Sequence, residues 1–233
     1  MNREIVITGD GSHSIGVPGR GLFYHSRHGA IRESFHVFIE SGLKYALEKW
    51  SPQGRDIHIL EMGFGTGLNA LLTFVETKAT TDRELRGPGV YYEAMELYPL
   101  EGQITCSLNY CQLLQPGYQP VFDLLHASEW NRETALSDRF TIHKKNVDWM
   151  SYMPERIFDL VYYDAFAPGD QPELWTRTVF DKLFSLLAPG ALMLTYCSKT
   201  VVRRSLEEAG FLVEKLPGPP HKREMLRATR KNS

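Results

Sequence analysis

Ile57-His58-Ile59-Leu60-Glu61-Met62-Gly63-Phe64-Gly65-Thr66-Gly67-Leu68-Asn69 is the stretch that decides the fold. An apolar run meets an acid, then three glycines at alternate positions, then a helix-forming run through Ala70, Leu71, Leu72, Phe74 and Val75. A parallel strand that turns tightly on glycines brings backbone N–H groups and a helix N-terminus against a ligand. A dinucleotide site spaces its glycines G-x-G-x-x-G; here the spacing is G-x-G-x-G, with Glu61 just ahead of it. An acid at that place repels a pyrophosphate and suits the cationic amino acid part of S-adenosylmethionine. The stretch therefore reads as a loop for that sulfonium ligand.

Outward from it, strands and helices alternate. The pattern predicts strands at 56–62, 90–96, 139–145, 157–164, 191–197, 211–216 and 223–229. Helices are expected at 67–78, from Pro99, within about 117–136, at 172–187 and at 199–209, with a polar loop over 80–89. The last two strands flank Pro217-Gly218-Pro219-Pro220. The expected fold is α/β and Rossmann-like, a seven-stranded sheet whose last strand is antiparallel. Upstream, short β segments at Arg3–Thr8, Ser14–Val17 and Leu22–His25 precede a helical period from Gly29 to Trp50, closed by Ser51-Pro52-Gln53-Gly54. Two units follow: residues 1–54, a β-hairpin and helix forming a lid, and residues 55–233, the ligand-binding domain.

A chain of 233 residues with net charge −2 is long enough for one well-buried domain and is no wholesale polyanion binder. Charge is uneven, since 199–231 holds nine Lys or Arg against four Asp or Glu. That is either a solvated helix face or one bank of a phosphate-contacting groove. Cys106, Cys111 and Cys197 form no C-x-x-C pair, which argues against a disulfide scaffold or zinc ribbon. No apolar run approaches a membrane span and the start lacks a signal-peptide core, so a cytoplasmic location is expected. His13, His25, His28 and His36 invite a metal reading, but no carboxylate or cysteine completes a ligand spacing, so none is expected.

Ligands of open α/β sheets lie beyond the carboxyl ends of the strands. Glu96 ends the second strand, where an acid accepts bonds from two ribose hydroxyls in both nicotinamide and sulfonium folds. Asn146-Val147-Asp148 ends the third, either gripping an adenine edge or capping a short helix at 147–152. Asp164 ends the fourth, followed by Ala165-Phe166-Ala167-Pro168. Four strand ends in the right order are more specific than any one of them.

These residues lie within blocks that cover most of the chain. The blocks are Gly29-Ala30-Ile31, Glu33-Ser34, Val37-Phe38-Ile39-Glu40, the glycine loop, Glu96-Leu97-Tyr98-Pro99 and Asp164-Ala165-Phe166-Ala167-Pro168. They continue through Pro172-Glu173-Leu174-Trp175-Thr176, Val201-Val202-Arg203-Arg204, Glu208-Ala209-Gly210-Phe211 and Lys222-Arg223-Glu224-Met225-Leu226. The chain resembles the methyltransferase half of the bacterial tRNA-modifying MnmC family, and the resemblance does not extend to its flavin-dependent oxidase half. It departs from the family at Asn146 and Ala165, where Asp and Gly are common.

The resemblance implies a class I methyltransferase. It would use S-adenosylmethionine to methylate the aminomethyl nitrogen on carbon 5 of the tRNA wobble uridine, giving 5-methylaminomethyl-(2-thio)uridine. It assigns the donor to Glu61, Gly63, Gly65, Thr66, Gly67, Asn69, Glu96, Leu97, Asn146, Val147 and Asp164. Asp164 is the catalytic candidate, with orientation of the amine ranked above general base. Tyr24, Glu33, Phe166, Arg203, Arg204, Lys222 and Arg223 are assigned to substrate, with Phe166 as a stacking face for a splayed base. The partner implied is a tRNA anticodon stem-loop, with a separate enzyme supplying the aminomethyl precursor. The competing readings are a small-amine methyltransferase, an aminopropyltransferase of the same fold, and a non-catalytic RNA-binding module.

Overall fold

The computed structural model describes residues 3–50, 55–83 and 88–231. Two features of the sequence reading, the helix stop at 51–54 with its unit boundary and part of the polar loop (84–87), lie outside the described residues. Strands β1 (Glu4–Ile7), β2 (His13–Val17) and β3 (Leu22–Phe23) form a small antiparallel sheet. The helical stretch 30–50 follows as α1 (Ala30–Ser34), a π-helical segment (Phe35–Lys44) and α2 (Tyr45–Trp50). Its buried face, with Val37, Phe38, Ile39 and Leu43, packs on the main sheet in one core with Ile59, Tyr162 and Leu194. Gly42 permits that approach, since a Cβ there would lie 3.1 Å from Leu194 Cδ2.

The main sheet contains β4 (Ile57–Met62), β5 (Val90–Met95), β6 (Glu133–Ser137), β7 (Phe140–Lys145), β8 (Phe158–Tyr163), β9 (Leu187–Thr195), β10 (Phe211–Pro217) and β11 (Glu224–Arg230). Their order is β10-β11-β9-β8-β4-β5-β7-β6. The five central strands are parallel, and β11 runs antiparallel to both neighbours. Strands β5 and β8 are buried at every position, as expected where helices cover both faces. Successive residues split between two cores: Ile57, Ile59 and Tyr92 on one face, Leu60, Met62 and Tyr91 on the other.

The fold class is as expected, but the sheet has eight strands rather than seven. The extra one, β6, pairs antiparallel with β7 at the edge. It falls in the stretch expected to be helical, because Glu133, Ala135 and Leu136 carry no strand signature in the sequence; in the structure every second residue is partly buried, the period of an edge strand. Further helices are α3 (Leu68–Arg83), α4 (Gly102–Thr105), α5 (Tyr110–Leu114), α6 (Gln119–Ala127), α7 (Arg177–Ser185) and α8 (Thr200–Glu208). The helix expected at 172–187 is split: Pro172–Trp175 makes one 3-10 turn, Thr176 is extended, and α7 starts at Arg177. The chain leaves β4 for β5 on one side and returns to β8 on the other, which opens a crevice at the carboxyl ends of β4 and β8.

Candidate active site

The ends of β4, β5 and β8 are laced together. Gly63 and Phe64 N–H donate to the Met95 carbonyl (3.1 and 2.9 Å), and Asp164 N–H donates to Met62 O (3.1 Å). Gly63, Gly65 and Gly67 have φ of +92°, +51° and +72°, where residues with a Cβ are strained. At Gly65 a Cβ would also come 3.2 Å from Tyr24 Cδ1. Over this turn lies a cavity of about 390 Å³, a size that suits a small-molecule ligand. Tyr24, Glu33, Gly63, Gly65, Thr66, Asn69, Glu96, Leu97, Val147, Asp164, Phe166 and Lys222 line it. Of the residues expected at the site, Glu61, Gly67, Asn146, Arg203, Arg204 and Arg223 do not.

Gly67 instead serves packing, because a Cβ there would press on Leu125 Cδ2 of α6 at 2.9 Å. Asn146 Nδ2 donates to the carbonyls of Glu96 (2.8 Å) and Leu97 (3.2 Å), bracing that turn. Asp148 realises the capping alternative and accepts from Met150 N–H at 2.8 Å. Glu96 accepts from Gly65 N–H (3.1 Å) and Tyr98 N–H (2.8 Å). A carboxylate has about four lone-pair sites, so acceptor positions remain for a diol.

Glu61 stands behind the cavity rather than in its wall. It is fully buried. Burial pushes its carboxyl well above the usual range. It reaches the site through Asn69, whose Nδ2 donates to Glu61 Oε1 and to Asp164 Oδ2, each at 2.9 Å. Asn69 Oδ1 is a buried acceptor without a donor, which suits an arriving ammonium. Desolvation raises the Asp164 carboxyl to about 7, helped by Glu33 and opposed by Asn69 and Lys222. Asp164 is thus an acid that changes charge near neutrality.

The other half of the cavity is built by the strap 21–27, the loop 164–167 and the β10–β11 turn. Tyr24 and Phe166 meet edge to face, centroids 5.2 Å apart. Phe166 is a cavity wall, not a core aromatic. Glu33 Oε2 accepts from Ser26 N–H at 2.7 Å and Oε1 meets Lys222 Nζ at 2.5 Å. Lys222 therefore turns inward rather than toward an external phosphate. Arg203 pairs with Glu207 at 2.8 Å on α8, while Arg204 and Arg223 are exposed.

Sequence reasoning missed several contributors. Tyr196, just past β9, lines the cavity, and reading that strand end with the others finds it. Trp149, the next residue after the Asn146–Asp148 triplet, is a buried wall. Lys144 does not line the cavity; it is buried behind the glycine loop, 5.4 Å from the Phe64 centroid and 4.9 Å from that of Trp130, and donates to His126 O at 2.9 Å. Burial lowers its ammonium to about 8. A lysine in a strand gives no such signal.

Together the glycine cradle, the strand-end acid Glu96 and the free acceptor of Asn69 fit S-adenosylmethionine. Among the described residues no helix is long and apolar enough to cross a membrane. None of their His, Cys, Asp and Glu residues gather in threes or more to hold a metal ion.

Residues 129–231 match the family described as S-adenosyl-L-methionine-dependent methyltransferase. The chain is 32% identical over 212 residues to the tRNA 5-methylaminomethyl-2-thiouridine biosynthesis bifunctional protein MnmC of Ectopseudomonas mendocina, covering 88% of this chain and 32% of that protein. The namesake of Nitrosospira multiformis is also 32% identical, over 88% of this chain and 34% of its own length. The chain thus spans about a third of the curated relatives it matches. Among solved structures, MNMC2 of Aquifex aeolicus superposes with a TM-score of 0.80 at 26% identity, covering all of this chain and 71% of that one. Spermidine synthase of Thermotoga maritima (TM-score 0.55, 11% identity, 99% of this chain and 72% of that one) shares the fold.

Proposed function

We propose that the chain, whose residues 129–231 match the S-adenosylmethionine-dependent methyltransferase family and which is similar to the methyltransferase part of MnmC, methylates the aminomethyl nitrogen on carbon 5 of the tRNA wobble uridine. The product is 5-methylaminomethyl-(2-thio)uridine. The observation that carries this reading is Asp164, raised to about 7, in one cavity with the glycine loop and the Tyr24–Phe166 pair.

Gly63, Gly65, Thr66 and Asn69 would hold the amino acid end of the donor, Glu96 its ribose, and Val147 with Trp149 its adenine. When bound, S-adenosylmethionine supplies an electrophilic methyl on a sulfonium. The acceptor nitrogen must be a free base with its lone pair aimed at that carbon. Asp164 orients the amine by accepting an N–H, and its carboxylate can take the proton that the ammonium sheds. Burial around it disfavours the ammonium in turn. Tyr24, on the strap of the 1–54 lid, and Phe166 exclude water and offer a face to a splayed base. Arg203, Arg204 and Arg223 meet anticodon-stem phosphates. A separate enzyme supplies the aminomethyl group.

Nucleoside mass spectrometry on tRNA from a deletion strain tests this. The expected result is accumulation of the unmethylated aminomethyl nucleoside and its conversion in vitro by the purified protein. Conversion of free small amines with tRNA left untouched would replace this reading with the small-amine one.

A further inference from the structure

Of the four cations expected to meet phosphate, only Lys222 lines the cavity. Its ammonium lies 2.5 Å from Glu33 Oε1 and 4.3 Å from the centroid of the Tyr196 ring. Tyr196 in turn donates its hydroxyl to Ala165 O at 2.9 Å, next to Asp164. A –CH2–NH3+ group therefore already sits inside the acceptor half of the cavity, on a carboxylate and an aromatic face. An aminomethyl substituent is the same chemical group.

Glu33 is nearly enclosed, its side chain 11% exposed, and Oε2 is taken by the Ser26 N–H. Removing Lys222 alone would leave a buried anion short of a donor, which is strongly unfavourable. An incoming ammonium can supply that donor, and two ammonium groups on one oxygen repel, so it must replace Lys222 rather than join it. Lys222 has somewhere to go. It stands on the β10–β11 turn, a third exposed, beside the exposed Arg223. Its departure leaves the β10–β11 turn docked, because His28 stacks on His221 at 4.0 Å and His36 Nε2 bonds Pro217 O at 2.9 Å.

Resting on the reading of the preceding subsection, we propose that Glu33 recognises the acceptor ammonium on its arrival, before Asp164 takes its proton, and that Lys222 is its internal stand-in. Lys222 is released to an RNA phosphate as the aminomethyl group arrives. Each charge keeps a partner throughout the exchange: Glu33 passes from one alkylammonium to another, and Lys222 from a carboxylate to a phosphate.

The test uses the full chain saturated with S-adenosylhomocysteine and a ligand without phosphate, 5-aminomethyluridine nucleoside, with 5-methyluridine as control. Lys222→Met removes the competitor and is expected to tighten the aminomethyl nucleoside about tenfold, while Glu33→Gln weakens it about tenfold. The control nucleoside responds to neither. Lys222→Ala carries the same expectation should Lys222→Met fail to fold. Unchanged or weaker binding in the Lys222 variants, or parallel shifts of the control, overturns the proposal. A protein that shows this pattern but never methylates tRNA loses the functional reading and keeps the recognition pair. One that methylates tRNA with unaltered Lys222-variant affinities loses the pair alone.

Discussion

The two halves of the cavity are held together differently. The donor half is made at the ends of adjacent buried strands, and its bonds (Gly63 to Met95, Gly65 to Glu96, Asn146 to Glu96) join neighbours in the sheet. The acceptor half is made by closures across the chain: Glu33 and Lys222 are 189 positions apart, and Tyr24 reaches Phe166 from the strap. Strand register fixes the first. The second is fixed by contacts between segments far apart in the chain, side-chain pairs together with backbone bonds such as Tyr24 N–H to Ile15 O (2.9 Å), so side-chain changes there should alter the acceptor without disturbing the donor.

The largest effect should come from the donor half. Gly65→Asp forces a side chain into positive φ and against Tyr24, and donor affinity by calorimetry should fall by about a hundredfold or more. If binding survives, the loop is not the rigid partner in the comparison.

Asp164 stands between the halves. Asp164→Ala should lower kcat by about a hundredfold or more while donor affinity moves less than about threefold. In Asp164→Asn the pH response separates as well. In the wild type the rate climbs as Asp164 ionises through about pH 7. The raised carboxyl means the fold binds that proton more tightly than the open chain, so stability falls as pH rises from the ordinary value toward 7. The Asn variant should lack both trends, read by pH–rate profiles and melting curves. Unchanged profiles would remove Asp164 from the chemistry.

Phe166→Ala should raise the acceptor KM by about tenfold and leave donor binding alone. A parallel loss of donor affinity would merge the halves. Smallest is charge reversal at Arg203 and Arg204, which should weaken tRNA binding at low salt and flatten its salt dependence. Equal affinities across salt would take α8 off the RNA path.

The donor half was legible because its chemistry is local. The glycine spacing, Glu96 and Asp164 each mark a strand end, and strand ends converge in any open parallel sheet. Glu61 shows the limit, since its position was plain but its complete burial and its dependence on Asn69 were not. Asn146 is a similar case: its place at a strand end was plain, but the bonds of its exposed amide to the Glu96 and Leu97 carbonyls were not. Strand β6 was missed because an edge strand with one half-covered face carries little apolar signal.

By itself the sequence determined the α/β alternation, the glycine turn and which acids end which strands, because periodicity and turn chemistry act over a few residues. Only the tertiary structure decided that Lys222 faces Glu33 rather than solvent, that Tyr24 closes on Phe166, and that Asp164 titrates near neutrality. Those properties depend on which distant groups share a dry cavity, and no local pattern encodes that distance.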